Sequence, residues 1–171
     1  MDATLKDAPL SRARVQTAAF DVAQEITLLH GKEGRVGAIC SFLGVVREVY
    51  GPENAKETLT ALELEHYPGM TEQALEAMID QALDRFDIIA ARIVHRVGVL
   101  KPLDPIVLVL VCAAHRGDSF KACEFLMDYL KTQAPFWKKE HTTVGTRWID
   151  ARESDDQALA RWGHFAHNQA R

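Results

Sequence analysis

The chain lacks the features that would tie it to several common classes of protein. Only three cysteines occur in 171 residues. Cys40, Cys112 and Cys123 are odd in number, widely spaced and without a C-x-x-C pair, which fits neither a disulfide framework nor a zinc site. Cys40 and Cys112 fall inside apolar, strand-like runs and read as small buried hydrophobes. Long hydrophobic runs are missing too: the longest, "IVLVLVCAA", is far too short to span a bilayer as a helix. The opening "MDATLKDAPLSRARV" has no apolar signal-peptide core, so a reducing cytoplasm is the expected location. An excess of basic charge is also absent. With 20 Lys and Arg against 24 Asp and Glu, the formal net charge is -4. That balance argues against a general nucleic-acid binder, whose binding domain is usually strongly basic. A small anion pocket stays open, because local clustering matters more than the sum.

Stock catalytic cradles are missing as well. There is no P-loop, no G-x-G-x-x-G and no G-x-S-x-G elbow. His164 and His167 in "HFAH" sit three apart but in a polar tail without a third ligand, so no metal site is assigned.

What is present is an ordinary globular composition, 47% hydrophobic and 26% charged, at a length suited to one domain. "RVQTAAF" reads as a short strand. "DVAQEITLLHG" reads as a helix capped by Asp21, striped by Val22, Ile26 and Leu29, and ended by Gly31. "GAICSFLGVVR" is a glycine-bounded, β-branched strand, and "VYGPENAKE" a loop. "LTALELEHY" alternates as a half-buried strand does. "TEQALEAMIDQALDRF" has helical spacing at Leu75, Met78, Ile79, Ala82 and Phe86 behind a Thr71 cap.

"AARIVHRVGVL" reads as one more strand, and "IVLVLVCAAH" as a central strand covered on both faces. "RGDSFKACEFLMDYLKTQA" predicts a helix from near Asp118, with Phe120, Cys123, Met127 and Leu130 inward, stopped by Pro135. "RWID" reads as a short strand, and the last twenty residues as an exposed polar helix with a frayed end. The order is mixed rather than strictly alternating, so the expected fold class is α+β. Its parts are a flexible lead-in at 1–12, a catalytic domain at 13–152 and a polar tail at 153–171.

Cationic residues gather at the ends of these elements. Arg47 closes a core strand, His115 and Arg116 precede a helix N-terminus that already favours anions, and Lys131 closes that helix. Lys138 and Lys139 follow the Phe136–Trp137 pair, which is expected to anchor a turn in the core, and Arg152 follows "RWID". Each has an ordinary explanation taken singly; Lys131, for example, offsets a helix dipole. Together they point to an anion site.

These residues also carry a family likeness. "GAICSFLGVVRE", "LELEHYPGM", "HRVGVLKP", "AAHRGDSFKACEFLMDYLKTQAPFWKKE" and "RWIDARESD", in this order from Val15 to Trp162, resemble the catalytic, large subunit of molybdopterin synthase. The resemblance implies the α/β-hammerhead arrangement of that family. It implies conversion of cyclic pyranopterin monophosphate to molybdopterin, a step of molybdenum cofactor biosynthesis. Two sulfurs would come from the C-terminal thiocarboxylate of a small ubiquitin-like carrier subunit. No metal or organic cofactor is required by it.

Carried over by motif position, Lys131 would sit beside the thiocarboxylate, and Lys138 would bind substrate and transfer protons. Arg47, His115, Arg116, Lys139 and Glu140 would line the substrate pocket, Arg152 would contact phosphate, and Phe42 and Met127 would be apolar walls. Val45 stands where some relatives carry lysine, leaving only a backbone contact there. Fixed cations suit this role, since donor and substrate are both anions brought together in a partly dry site. Arginine grips phosphate through paired hydrogen bonds, whereas lysine acts as a compact charge or proton donor.

A helix from Asp118 to Lys131 separates its ends by about 20 Å at ~1.5 Å per residue. His115 and Arg116 therefore cannot share one small substrate with Lys131 of the same chain. A homodimer with shared pockets follows, and with a small subunit at each end it becomes a heterotetramer. The alternatives are a phosphoester hydrolase built on His115 and the cations, which lacks an evident nucleophile, and a scaffold that binds the small subunit without chemistry.

Overall fold

The computed structural model describes residues 11–31, 34–48, 57–149 and 160–163. Among these residues, eight strands and three helices form two four-stranded sheets with helices on both faces of the first. This is the expected α+β class.

The first sheet runs in the order β1 (Ala13–Gln16), β4 (Ala90–Arg96), β6 (Pro105–Ala113), β2 (Ala38–Val45). β1 pairs parallel with β4, and the other two pairings are antiparallel. The unbroken apolar run of β6 is explained by alternation. Val107, Val109 and Val111 face one core, while Leu108 and Leu110 face another. The first core is closed by α2 (Met70–Arg85) and α3 (Arg116–Gln133), through Leu75, Met78, Ile79, Phe125, Leu126 and Leu130. The second is closed by α1 (Val22–His30), whose stripe of Val22, Ile26 and Leu29 packs there as expected. Asp21 caps that helix by accepting from the Gln24 N–H at 3.0 Å, and Gly31 ends it at φ 51°.

One buried ion pair ties α1 to the sheet. The Arg92 Nε donates to Glu25 at 2.6 Å, with both side chains almost fully buried. Arg14 donates to the other oxygen of the same carboxylate. A carboxylate out of water needs partners of this kind, and here two guanidinium groups supply them.

The second sheet is antiparallel, in the order β5 (Gly98–Leu100), β3 (Leu59–His66), β7 (Phe136–Thr142), β8 (Gly145–Ile149). Leu59, Leu62 and Leu64 of β3 join Val46, Val97 and Leu100 in its own core.

Several expectations need correction. "AARIVHRVGVL" is two strands in two different sheets, because Gly98 at φ 85° turns the chain between them. Only glycine takes that conformation without steric cost. Thr71 is no cap. The N-cap is Gly69, whose N–H donates to the Glu72 carboxylate at 2.7 Å. Thr71 lies buried inside the first turn, where its hydroxyl accepts from the Tyr67 N–H and donates to the Pro135 carbonyl. The third helix begins at Arg116, with His115 as N-cap, rather than near Asp118. Its residue Phe120 is 61% exposed, although Cys123, Met127 and Leu130 are buried as expected.

The segment after Pro135 is strand β7 rather than a turn anchored in the core. Phe136 stacks on the His95 ring at 3.9 Å, but Trp137 is 51% exposed. Neighbouring strand residues point to opposite faces, so both cannot be buried against one sheet face. The C-terminal segment also departs from a purely exposed tail. Trp162 packs edge-on against Phe86 and Phe125, at 5.8 and 5.6 Å between ring centroids.

Candidate functional site

A cavity of 380 Å³ opens between β2 and α3. From the strand come Cys40, Ser41 and Phe42, and from the helix Phe120, Cys123, Glu124, Met127, Asp128 and Lys131. The helical residues recur every three or four positions, so one stripe of α3 forms the whole of that wall. The strand supplies the other wall because β2 is the edge of the first sheet. Phe42, Met127 and Lys131, drawn from distant parts of the chain, are thus brought together.

The chemistry of the cavity is asymmetric. Lys131 is an exposed cation in the last turn of α3, where the helix dipole favours positive charge. Glu124 and Asp128 lie on the same stripe, and both are engaged from outside by the C-terminal segment. Arg161 donates to Glu124 at 3.3 Å and to Asp128 at 3.0 Å. The Trp162 indole N–H donates to Asp128 at 2.8 Å. These partners hold the acidic charge beside the opening, so Lys131 is not left to neutralise it alone. Sequence reading missed Arg161 and Trp162. The signal was "RW" in a polar tail, a bulky aromatic with no reason to be there unless it packs.

The other expected site residues are placed as follows. Lys138 is half-buried on β7, opposite Leu64 on β3 and Ile149 on β8. It lies on the same face as Phe136, two residues away, and next to the buried His95. Burial lowers the His95 imidazole to about 3, with the charges of Lys138 and His66 adding to the effect. Its Nδ1 stands 2.8 Å from the Arg96 carbonyl. A carbonyl only accepts, so the neutral ring carries its proton on Nδ1.

Lys139 points to the opposite face of β7. Its ammonium stands 3.7 Å from Glu63 and 5.4 Å from the centre of the Trp148 ring. Lys138 and Lys139 were both expected at the substrate pocket, and strand alternation points them to opposite faces of β7. Glu140 shares the face of Lys138 and is buried, held by Arg147 at 2.8 Å. Arg147 also binds Glu57 at 2.8 Å, and that carboxyl lies below its usual range through hydrogen bonding to Thr142 first and to Arg147 second. Arg147 is a third residue that sequence reading passed over.

His115 and Arg116 are exposed at the start of α3. Arg116 is fifteen residues from Lys131, about 22 Å along the helix at ~1.5 Å per residue. Arg47 is exposed just past β2. Ala38 at the other end of β2 pairs with Ala113, just ahead of His115. Arg47 and the His115–Arg116 pair therefore lie at opposite ends of the sheet. Arg152, His164 and His167 lie outside the described residues. Among the described residues, no three His, Cys, Asp or Glu side chains cluster to hold a metal, and no helix is long and apolar enough to cross a membrane.

Comparison with known proteins gives a consistent result. Residues 15–133 match the family model described as MoaE protein. A molybdopterin synthase catalytic subunit from Ralstonia nicotianae is 53% identical over 155 residues, 91% of this chain and 86% of that one. The subunit of that name from Escherichia coli is 48% identical over 84% of this chain and 92% of its own. The structure of a molybdopterin biosynthesis MoaE protein from Burkholderia ambifaria superposes with a TM-score of 0.76 at 52% identity, over 91% of this chain and 99% of that chain. Molybdopterin synthase from Staphylococcus aureus superposes with a TM-score of 0.73 at 28% identity, over 80% of this chain and 96% of that one.

Proposed function

The chain belongs to the MoaE protein family, and on that premise we propose that it is the catalytic subunit of a molybdopterin synthase. It converts cyclic pyranopterin monophosphate to molybdopterin with sulfur from the C-terminal thiocarboxylate of a small carrier subunit. The observation that carries the reading is the convergence of Phe42, Met127 and Lys131 on one cavity.

An extended tail ending in a thiocarboxylate needs an apolar slot and a cation at its end. Phe42 and Met127 form the slot, and Lys131 supplies the charge. Partial exclusion of water strengthens that attraction. Lys138, half-buried on β7, serves the substrate and moves protons. Arg47, Lys139, Glu140 and Arg152 are retained as substrate contacts, with Glu140 positioned through Arg147.

His115 and Arg116 reach the pocket from a second copy of the chain, because about 22 Å of helix separates them from Lys131. The assembly is then a homodimer carrying one small subunit on each copy, and it works in the cytoplasm.

The test mixes the protein with a thiocarboxylated small subunit and cyclic pyranopterin monophosphate, and measures molybdopterin. Lys131→Ala is expected to lower the yield by about two orders of magnitude or more, the scale of a lost electrostatic contact to a reacting group. Full activity of that variant, or turnover with no small subunit present, overturns the reading.

A further inference from the structure

We propose that Cys40 and Cys123 form an oxidation-sensitive dithiol that closes to a disulfide across the cavity between β2 and α3. Both side chains line that cavity, one from each wall. Cys40 pairs with Val111 in the sheet register and so projects toward α3, the side on which Val111 is buried. Cys123 meets it from the stripe of α3 that also carries Met127 and Lys131. The third cysteine cannot take part. Cys112 pairs with Ile39, one position over, and therefore projects from the other face of the sheet. The odd cysteine count thus resolves into one facing pair and one isolated core thiol.

The two members differ in access, which sets the order of the chemistry. Cys40 is half-buried, while Cys112 and Cys123 are buried. Burial pushes the Cys123 thiol up, with Cys40 adding to the rise, so it stays protonated at neutral pH. Cys40 therefore reacts first: its sulfur attacks a peroxide oxygen, the O–O bond breaks, and a sulfenic acid and one water result. The Cys123 sulfur then displaces the sulfenic oxygen, the S–S bond forms, and a second water leaves. Two thiols lose two electrons and two protons, and one hydrogen peroxide becomes two waters.

A disulfide requires Cα atoms within roughly 4.4–6.8 Å. The cross-link pins β2 to α3 beside Phe42 and Met127 and narrows the approach to Lys131. In the reduced protein the same cavity is open. Only this last consequence rests on the function proposed above.

The experiment treats the folded protein with increasing hydrogen peroxide, alkylates remaining thiols without reductant, and maps the peptides by mass. The expected product is two hydrogens lighter, cross-linked between Cys40 and Cys123, alkylated at Cys112, and restored by dithiothreitol. Cys40→Val, which suits a strand, and Cys123→Ala, which suits a helix, each abolish the cross-link. Both thiols remaining alkylatable, Cys40 passing on to a sulfinic acid, or a cross-link between two chains would each overturn the proposal.

In the sulfur-transfer assay, oxidation is expected to lower the wild-type rate by about tenfold or more, the scale set by displacing positioned groups, and to leave the rate of Cys40→Val unchanged by peroxide. An intramolecular disulfide without loss of rate overturns the narrowing of the cavity. An inactive reduced protein instead counts against the proposed function, while the thiol mapping still decides the disulfide.

Discussion

The buried imidazole of His95 makes a quantitative prediction about acid stability. Its ring is 3% exposed, stacked on Phe136 at 3.9 Å, and takes up a proton only near 3 instead of its ordinary 6.5. Below about pH 6.5 the unfolded chain binds a proton here and the native chain does not. Stability therefore falls as pH falls, and the loss is complete only once the pH passes below about 3. Between about pH 7 and pH 5 the contribution lost is about 2 kcal/mol, at ~1.4 kcal/mol for each pH unit below the unfolded value.

Two lowered carboxyls, Glu57 and Glu63, also cost stability in acid, but from their ordinary 4.5 downward. They leave the higher window to His95. His95→Phe keeps a ring against Phe136 and cannot titrate. It gives up the donation to the Arg96 carbonyl, at about 1 kcal/mol independent of pH. Urea unfolding of both proteins at the two pH values isolates the effect, because all other groups cancel in the difference. The wild type is expected to lose about 2 kcal/mol more than the variant. Equal losses would show that the ring is not held neutral by burial, and the reasoning fails.

Other consequences can be checked with single substitutions. Lys138→Ala is expected to slow molybdopterin formation by about 10²–10⁴, the range for a lost proton-transfer group. Lys139→Ala, on the opposite face of β7 beside Glu63, should cost about tenfold or less, measured in the same assay; the reverse order would refute the division of faces. Glu25→Ala strands the buried Arg92 and should lower unfolding free energy by about 3–5 kcal/mol. Replacing Glu25 and Arg92 together by leucine should recover much of that loss in the same denaturant titration.

Local patterns along the chain were enough to place most of the fold. Alternation over Leu59–His66 and the helical stripe from Leu75 to Ala82 are properties of a few neighbouring residues, and burial follows them. The capping Asp21 and the terminating Gly31 act within one turn, so they too are visible locally. The unbroken run of β6 announced a strand covered on both sides, since no polar face was available to leave in water. The motif order identified the family, and with it the expected roles of Lys131 and Lys138.

What the chain order could not decide is which elements meet. "FWKKEHT" has no apolar alternation, because its inner face carries Lys138 and Glu140 among leucines and its outer face carries Trp137 and Lys139. Its strand character comes from pairing with β3 and β8, and that pairing alone puts two adjacent lysines on opposite sides. Gly98 looked like one residue in an apolar run, yet its positive φ sends the chain from one sheet to the other. Cys40 and Cys123 are far apart in sequence and face each other only because β2 is the sheet edge against which α3 packs. Residue type and spacing set which charges and thiols the protein has. The packing of an edge strand on a helix set which of them share a cavity, because that depends on contacts between segments that no local pattern records.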